Sequence, residues 1–474
     1  MKNLEIVSSI GELNKIDKLN FIYPNLTTNV IVNDGNIMTK FNYPQTKLIN
    51  QTDDYHNTLV ADPYRWLEDV DSAETLRWIK EQNELTFAYL DQIPSREKIR
   101  DRLTELWDYP KAFAPQKHGD RYFRLQNSGL QNQDVLNFSH QCDGDWQTLL
   151  DPNLLSKDGT VALTSWKVSK DGNMLAYATS TSGSDWLTWR VRDVSKGVDL
   201  PDVIEWSKFS DAAWLNDESG FFYARYDEPE ENEAYEGLNL NQKLYLHILG
   251  NSQSQDKLIY QRPDQPEWGF SPRITDDGRY LILNVSQGTD TRNRLFYKTL
   301  CQDDDFIELI SDLEANYEFV GNEGPIFYLR TDYEAPCGKL IAIDTRTPKK
   351  ANWITIIPES KDVLETVKIG NNQFVALYLH DAHHKFKIYK ISGEPDGEIK
   401  LPTLGSILAI NQVIDLHSNK SDSELFYSFH SFAVPPTVYR FDFANKESQI
   451  IDNPEIQYDF DTLTTQQVFV TSKD

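Results

Sequence analysis

The chain has 474 residues, and 47 lysines and arginines against 73 aspartates and glutamates give a formal net charge of −26. A surface of that sign repels phosphate backbones and anionic headgroups, which disfavours nucleic-acid and membrane-surface roles. No run approaches the roughly eighteen apolar residues of a membrane-spanning helix.

In chain order, residues 1–40 are polar, Asn-rich and without a clear period, and are expected to form a weakly structured extension. The first twenty alternate charged and apolar side chains and form no signal-peptide core. Residues 41–108 are predicted to be a helical segment. Asp71 is expected to cap a first helix with Glu74 as capping-box partner. Leu76, Ile79, Leu85, Ala88 and Tyr89 form its apolar stripe, which ends before Pro94. Ser95 opens a second helix with Ile99, Leu103 and Leu106 on one face.

From 109 to 455 the pattern changes to short strands and polar turns. Asp171-Gly172 precedes the apolar run Met174–Tyr177, and Asp277-Gly278 precedes Tyr280–Leu283. Asp-Gly tolerates the positive φ of a tight hairpin, and the run behind it has the composition of a buried strand. Weaker copies bring the turns to seven, near 119, 171, 219, 277, 323, 371 and 422. A period of about fifty residues in an all-β reading indicates four strands per blade, and seven copies predict a seven-bladed β-propeller.

Two clusters invite a metal reading. Asp227 to Glu233 is acidic, but its spacing fits no calcium-ligand rule, so it reads as a solvated loop. His380, Asp381, His383 and His384 fall between two strand-like runs, where a hairpin is expected rather than a zinc tetrahedron. Cys142, Cys301 and Cys337 are odd in number and widely spaced, and read as reduced thiols of a cytoplasmic protein. Neither a metal nor a cofactor is expected.

The region from Tyr43 onward resembles the prolyl oligopeptidase family. The matching residues include Asp54-Tyr55-His56, Asp62-Pro63-Tyr64-Arg65-Trp66-Leu67-Glu68-Asp69, Ser182-Gly183-Ser184-Asp185-Trp186, Asn241-Gln242-Lys243-Leu244-Tyr245 and Asp276-Asp277-Gly278-Arg279-Tyr280. The resemblance implies a serine-type endopeptidase that cleaves short peptides after proline. In such a protein the propeller is inserted into an α/β-hydrolase domain and gates access to it. Residues 41–108 would then be the N-terminal helical segment of that hydrolase domain. Residues 456–474 would be the return linker and its first strand, over Gln467 to Ser472. The resemblance also implies that Phe209 lines the substrate's third subsite. Two other family residues of that subsite, a methionine and a cysteine, align with Gly269 and Thr289, a departure that bears on subsite size and thiol sensitivity.

The family's serine nucleophile stands in a Gly-x-Ser-x-Gly elbow, followed by Asp and His. No Gly-x-Ser-x-Gly occurs in this sequence, and no catalytic residue is carried over. The expectation is a truncated or split part of such an enzyme, inactive alone, whose partners are short proline-containing peptides and a hydrolase half in cis or as a separate chain. The alternative is a propeller interaction module that binds a protein partner. A third reading, glycoside chemistry on paired carboxylates, lacks any sign of a convergent pair.

Overall fold

The computed structural model describes residues 30–33, 36–39, 41–229, 237–302, 304–410, 413–456 and 462–473. The chain divides into two compact units, Met1–Glu105 and Leu106–Asp474. The extension expected over residues 1–40 lies largely outside the described residues. Within it, Val30–Asn33 and Asn36–Thr39 pair as antiparallel strands.

Ahead of its helices the first unit contains a feature the helical reading missed. Thr52–Tyr55 and Thr58–Ala61 form a β-hairpin, turned by His56 and Asn57 at φ 54° and 67°. Two consecutive positive φ values are what a two-residue hairpin turn demands. Arg65 ties the hairpin to the next turn, pairing with Asp53 and, at 2.7 Å, with Asp62.

Helix α1 spans Ala73–Leu90 and α2 spans Arg96–Trp107. The cap of α1 is Ser72, not the expected Asp71: the Ser72 hydroxyl accepts from the Thr75 amide. The shorter side chain reaches the third-residue amide from one position later, and the capping box with Glu74 does not form. Only Thr75 is buried along α1, and nothing is buried along α2. Helices of this length draw most of their stability from a packed apolar face. Here Leu76, Ile79, Phe87, Ile99 and Leu103 all stand in solvent.

The second unit holds seven blades. Blade one contains Lys111–Ala112, Gln116–His118, Arg121–Asn127, Val135–Ser139 and Gln147–Leu150. Blades two to six each contain four consecutive antiparallel strands, beginning at Val161, Ala213, Trp268, Tyr317 and Val363. Blade seven runs from Ser406–Ile407 to Glu447–Asp452. Blades one and seven break the inner strand into two pieces, both paired to the blade's next full strand.

Each of the seven turns expected from the sequence joins the inner strand of a blade to the next strand out. That next strand is the blade's core element. Phe123, Tyr177, Tyr223, Leu283, Phe327, Phe374 and Tyr427, one from each blade, are all essentially inaccessible to solvent. Burying each contributes about 1.5–3 kcal/mol. The turns also interlock: a β-carbon on Gly119 would meet the Asp171 carbonyl oxygen at 2.4 Å, and one on Gly172 would meet the His118 carbonyl oxygen at 2.7 Å. Both glycines have positive φ, 58° and 78°, so the close approach of blades one and two requires them twice over.

Apolar clusters fill the spaces between neighbouring blades, and six of them hold eight or more buried residues. The seventh, where blade seven meets blade one, holds four: Ala114, Cys142, Phe426 and Val438. Each blade is made of consecutive strands, so no shared strand seals the ring there. Polar bonds supply the closure. The Ala114 amide donates to Asp415 at 2.9 Å. Glu424 accepts from the Tyr122 hydroxyl at 2.5 Å and pairs with Arg440 at 3.1 Å. Arg124 pairs with Asp452 at 3.1 Å.

The strand expected over Gln467 to Ser472 is not formed. Residues 462–473 contain no strand, and Val468, Phe469 and Val470 are exposed. With no strand edge beside it, the segment has no ladder to take up its backbone hydrogen bonds, although the Gln467 side chain donates to the Asp381 carbonyl. None of the three cysteines is in a disulfide. No helix among the described residues is long and apolar enough to cross a membrane.

Candidate functional site: the axial bore and its Phe209 rim

The inner strands surround an axial bore. Towards one mouth lies a cavity of about 670 Å³, whose lining includes Leu163, Lys167, Phe209, Asp211, Asp415 and His417. Towards the other lies a cavity of about 930 Å³, whose lining includes His118, Lys167, Lys170, Arg273, Lys368 and Lys420. The first has four aspartates, Asp134 and Asp185 among them, against Lys167 alone. The second has six lysines and arginines against five aspartates.

Phe209 lies on the connection between blades two and three. Its backbone is left-handed, φ 52°, as is that of Trp206 at φ 62°. A bulky residue in this region is an outlier, held there only when the surroundings fix it. Those surroundings are specific. The Ser207 hydroxyl donates to the Ala224 carbonyl at 2.8 Å, the Gln242 amide donates to the Lys208 carbonyl at 2.8 Å, and the Ala224 amide donates to the Ser210 hydroxyl at 3.0 Å.

Lys208 is buried, with its ammonium 3.8 Å from the centre of the Trp186 ring and donating to Asn239 at 3.1 Å. Burial depresses this ammonium, against the pull of Asp185. With both neighbours fastened, the Phe209 ring is 59% exposed and faces the cavity. It belongs to no core cluster.

The residues aligned with the rest of the expected subsite lie elsewhere. Gly269 is on the inner strand of blade four, where a β-carbon would meet the Ser286 hydroxyl at 2.7 Å. Thr289 is in an exposed turn. Neither lines the cavity that Phe209 faces.

The histidine cluster does not converge. His380 and His383 flank the hairpin turn Asp381-Ala382. His380 pairs with Asp362 at 2.7 Å through Nδ1 and with Asp381 at 3.3 Å through Nε2. His384 pairs with Glu365 at 2.7 Å, while its Nδ1 accepts from the Ile407 amide at 2.8 Å. These imidazoles are therefore occupied by separate carboxylates. The acidic loop from Asp227 lies partly outside the described residues.

Sequence reasoning missed the cations of the bore. Lys167, Arg273 and Lys368 lie on the inner strands of blades two, four and six. They are roughly a hundred residues apart in sequence, and no local pattern announces that they share a cavity.

Fold and site together define the class: a seven-bladed β-propeller with an accessible bore, rimmed on one side by a fixed, exposed aromatic ring. The family described as "Prolyl oligopeptidase, N-terminal beta-propeller domain" matches residues 44–454, and the chain belongs to it. It is 35% identical over 432 residues to the prolyl endopeptidase of Elizabethkingia meningoseptica, covering 91% of this chain and 60% of that protein. It is 31% identical over 445 residues to prolyl oligopeptidase A of Amanita bisporigera, covering 86% of this chain and 57% of that protein. Among solved structures, prolyl oligopeptidase B from Galerina marginata bound to a 25mer macrocyclization substrate superposes with a TM-score of 0.80 at 29% identity, covering 91% of this chain and 64% of that one. The chain thus spans about 60% of the length of the relatives it matches.

Proposed function

We propose that this chain is the propeller part of a serine-type endopeptidase that cleaves short peptides after proline. The observation that carries this reading is Phe209: a bulky ring held at positive φ by bonds on both sides, exposed to a cavity instead of packed in a core. On this reading Phe209 contacts the substrate a few residues from the scissile bond, and the bore admits short peptides while its width excludes folded proteins. The Ser-Asp-His machinery comes from a hydrolase part, joined in cis or supplied as a separate chain. On this reading that part covers the exposed apolar faces of α1 and α2, and residues 41–108 belong with it. Residues 456–474 are then the return linker, and Gln467 to Ser472 become the first strand of that part once it supplies an edge to pair with. The three unpaired thiols agree with a cytoplasmic setting.

The test is a chromogenic proline-containing dipeptide substrate offered to the purified chain alone and to the chain mixed with, or fused to, a hydrolase domain of this family. The reading expects no turnover alone and turnover in the combination. Turnover by the chain alone that survives rigorous purification contradicts it.

A further inference from the structure

In a chain of net charge −26, a cation without a carboxylate partner inside a cavity is out of keeping, and among the described residues two line the bore. The Lys368 ammonium is partly buried and makes neither a hydrogen bond nor an ion pair among the described residues. Among the described residues Arg273 has no carboxylate at ion-pair distance. Its guanidinium donates to the Phe319 carbonyl at 2.7 Å and, at 3.5 Å, to that of Val320, which leaves further N–H groups uncommitted. Lys167 is only partly compensated, by Asp211 at 3.0 Å.

Five aspartates share that lining with the cations; Asp211 is the partner of Lys167, and two of the others are committed to their own turns. Asp277 accepts from the Thr275 hydroxyl, the Arg279 amide and the Asn322 side chain. Asp422 accepts from Asn419. At the mouth, Lys170 reaches past blade three to the Asp276 carbonyl at 2.9 Å. Lys420 reaches past blade six to the Asn322 carbonyl at 3.2 Å.

An unpaired ammonium withdrawn from water is costly unless something charged meets it. Burial depresses Lys368, and the nearby charges of Arg273 and Lys167 push the same way, opposed by Glu318. An anion in the cavity reverses that balance. A planar guanidinium and an ammonium lining one cavity suit an oxyanion, which accepts from both.

We propose that the bore contains an oxyanion-binding site built on Lys368 and Arg273, with Lys167 beside them. The ligand chemistry is that of a phosphate or of a peptide's terminal carboxylate. The site is made wholly of propeller residues. Its failure would leave the peptidase reading standing, because the test involves no cleavage.

The experiment is isothermal titration calorimetry on the full 474-residue chain. Four titrants are compared at matched ionic strength: sodium phosphate, sodium chloride, and an acetylated alanyl-proline dipeptide as free acid and as amide. The site predicts saturable one-to-one binding by phosphate, by the free acid or by both, and none by chloride or the amide. The tighter arm names the source. Lys368→Met and Arg273→Gln should each weaken that binding about tenfold or more, while Lys257→Gln, on the outer strand of blade three, should not. If Lys368→Met fails to fold by circular dichroism, Arg273→Gln decides. No saturable heat from either oxyanion, or unchanged affinity in the folded bore variants, overturns the proposal.

Discussion

The Nε2 nitrogen of His247 lies 2.9 Å from the Asp202 carboxylate, and Nδ1 of the same ring lies 2.7 Å from that of Asp256, with all three side chains almost wholly buried. Carboxylates accept and do not donate, so both ring nitrogens must carry protons and the ring is an imidazolium. The Tyr223 hydroxyl donates to the other oxygen of Asp256 at 2.6 Å, which fixes the group to the core of blade three. Asp202 belongs to the outer strand of blade two, so the imidazolium fastens two blades together.

Burial alone would depress the His247 pKa, but the two bonded carboxylates outweigh it and the net direction is upward from 6.5. A raised native pKa means the folded state binds more protons than the unfolded one. The stabilisation is then complete below the ordinary histidine value and is lost as pH rises through the native one. Urea midpoints should fall as pH rises above about 6.5, and His247→Gln should remove that part of the slope. The variant should also lose about 3–5 kcal/mol near neutral pH, because two carboxylates are left buried without their cation. Parallel pH profiles for the wild type and the variant would refute this role.

Ring closure concentrates on Glu424. With four buried apolar residues at the seam, the polar bonds of Glu424 to Tyr122 and Arg440 carry what apolar packing carries elsewhere. Glu424→Ala should cost about 3–5 kcal/mol, as for removal of one partner from a largely buried pair. An exposed acid such as Glu308, paired at 2.8 Å on the outside of blade four, should cost under about 1 kcal/mol when changed to Ala. Urea denaturation of the two variants side by side checks the contrast.

Phe209→Ala should leave the stability of the chain within about 0.5 kcal/mol, since the ring is mostly in solvent. In the active combination it should lower kcat/KM by roughly tenfold through KM, the size of one lost aromatic contact. Steady-state kinetics with a substrate long enough to reach the third subsite makes the measurement. A dipeptide too short to reach it should show no difference.

Most of the ring was legible from the chain because the turn chemistry repeats. Asp-Gly at 171 and 277, and the weaker copies around it, mark the same hairpin in every blade. The strand after each turn is apolar because it is buried on both faces. The hairpin at Thr52–Ala61 was hidden because His56-Asn57 supplies positive φ without glycine. Ser72 took the cap from Asp71 because caps are decided by one residue of register. The bore cations were illegible for another reason: Lys167, Arg273 and Lys368 come together only when the ring closes, and each alone looks like a surface residue of its strand.

The exposed helix faces should behave as a docking surface, not as part of this chain's own core. Leu76→Glu with Leu103→Glu should change the stability of the chain by less than about 0.5 kcal/mol each. The same pair should weaken association with the hydrolase part by about 2 kcal/mol or more. Analytical ultracentrifugation of the mixture, against the wild type, separates the two effects.

The most direct measurement is of peptide cleavage before and after a hydrolase part is supplied. The account predicts that the purified chain releases no chromophore from a proline-containing dipeptide substrate, and that the mixture or fusion with a family hydrolase domain does, with cleavage after proline. Steady cleavage by the chain alone, or no cleavage by a folded and associated combination, would contradict it.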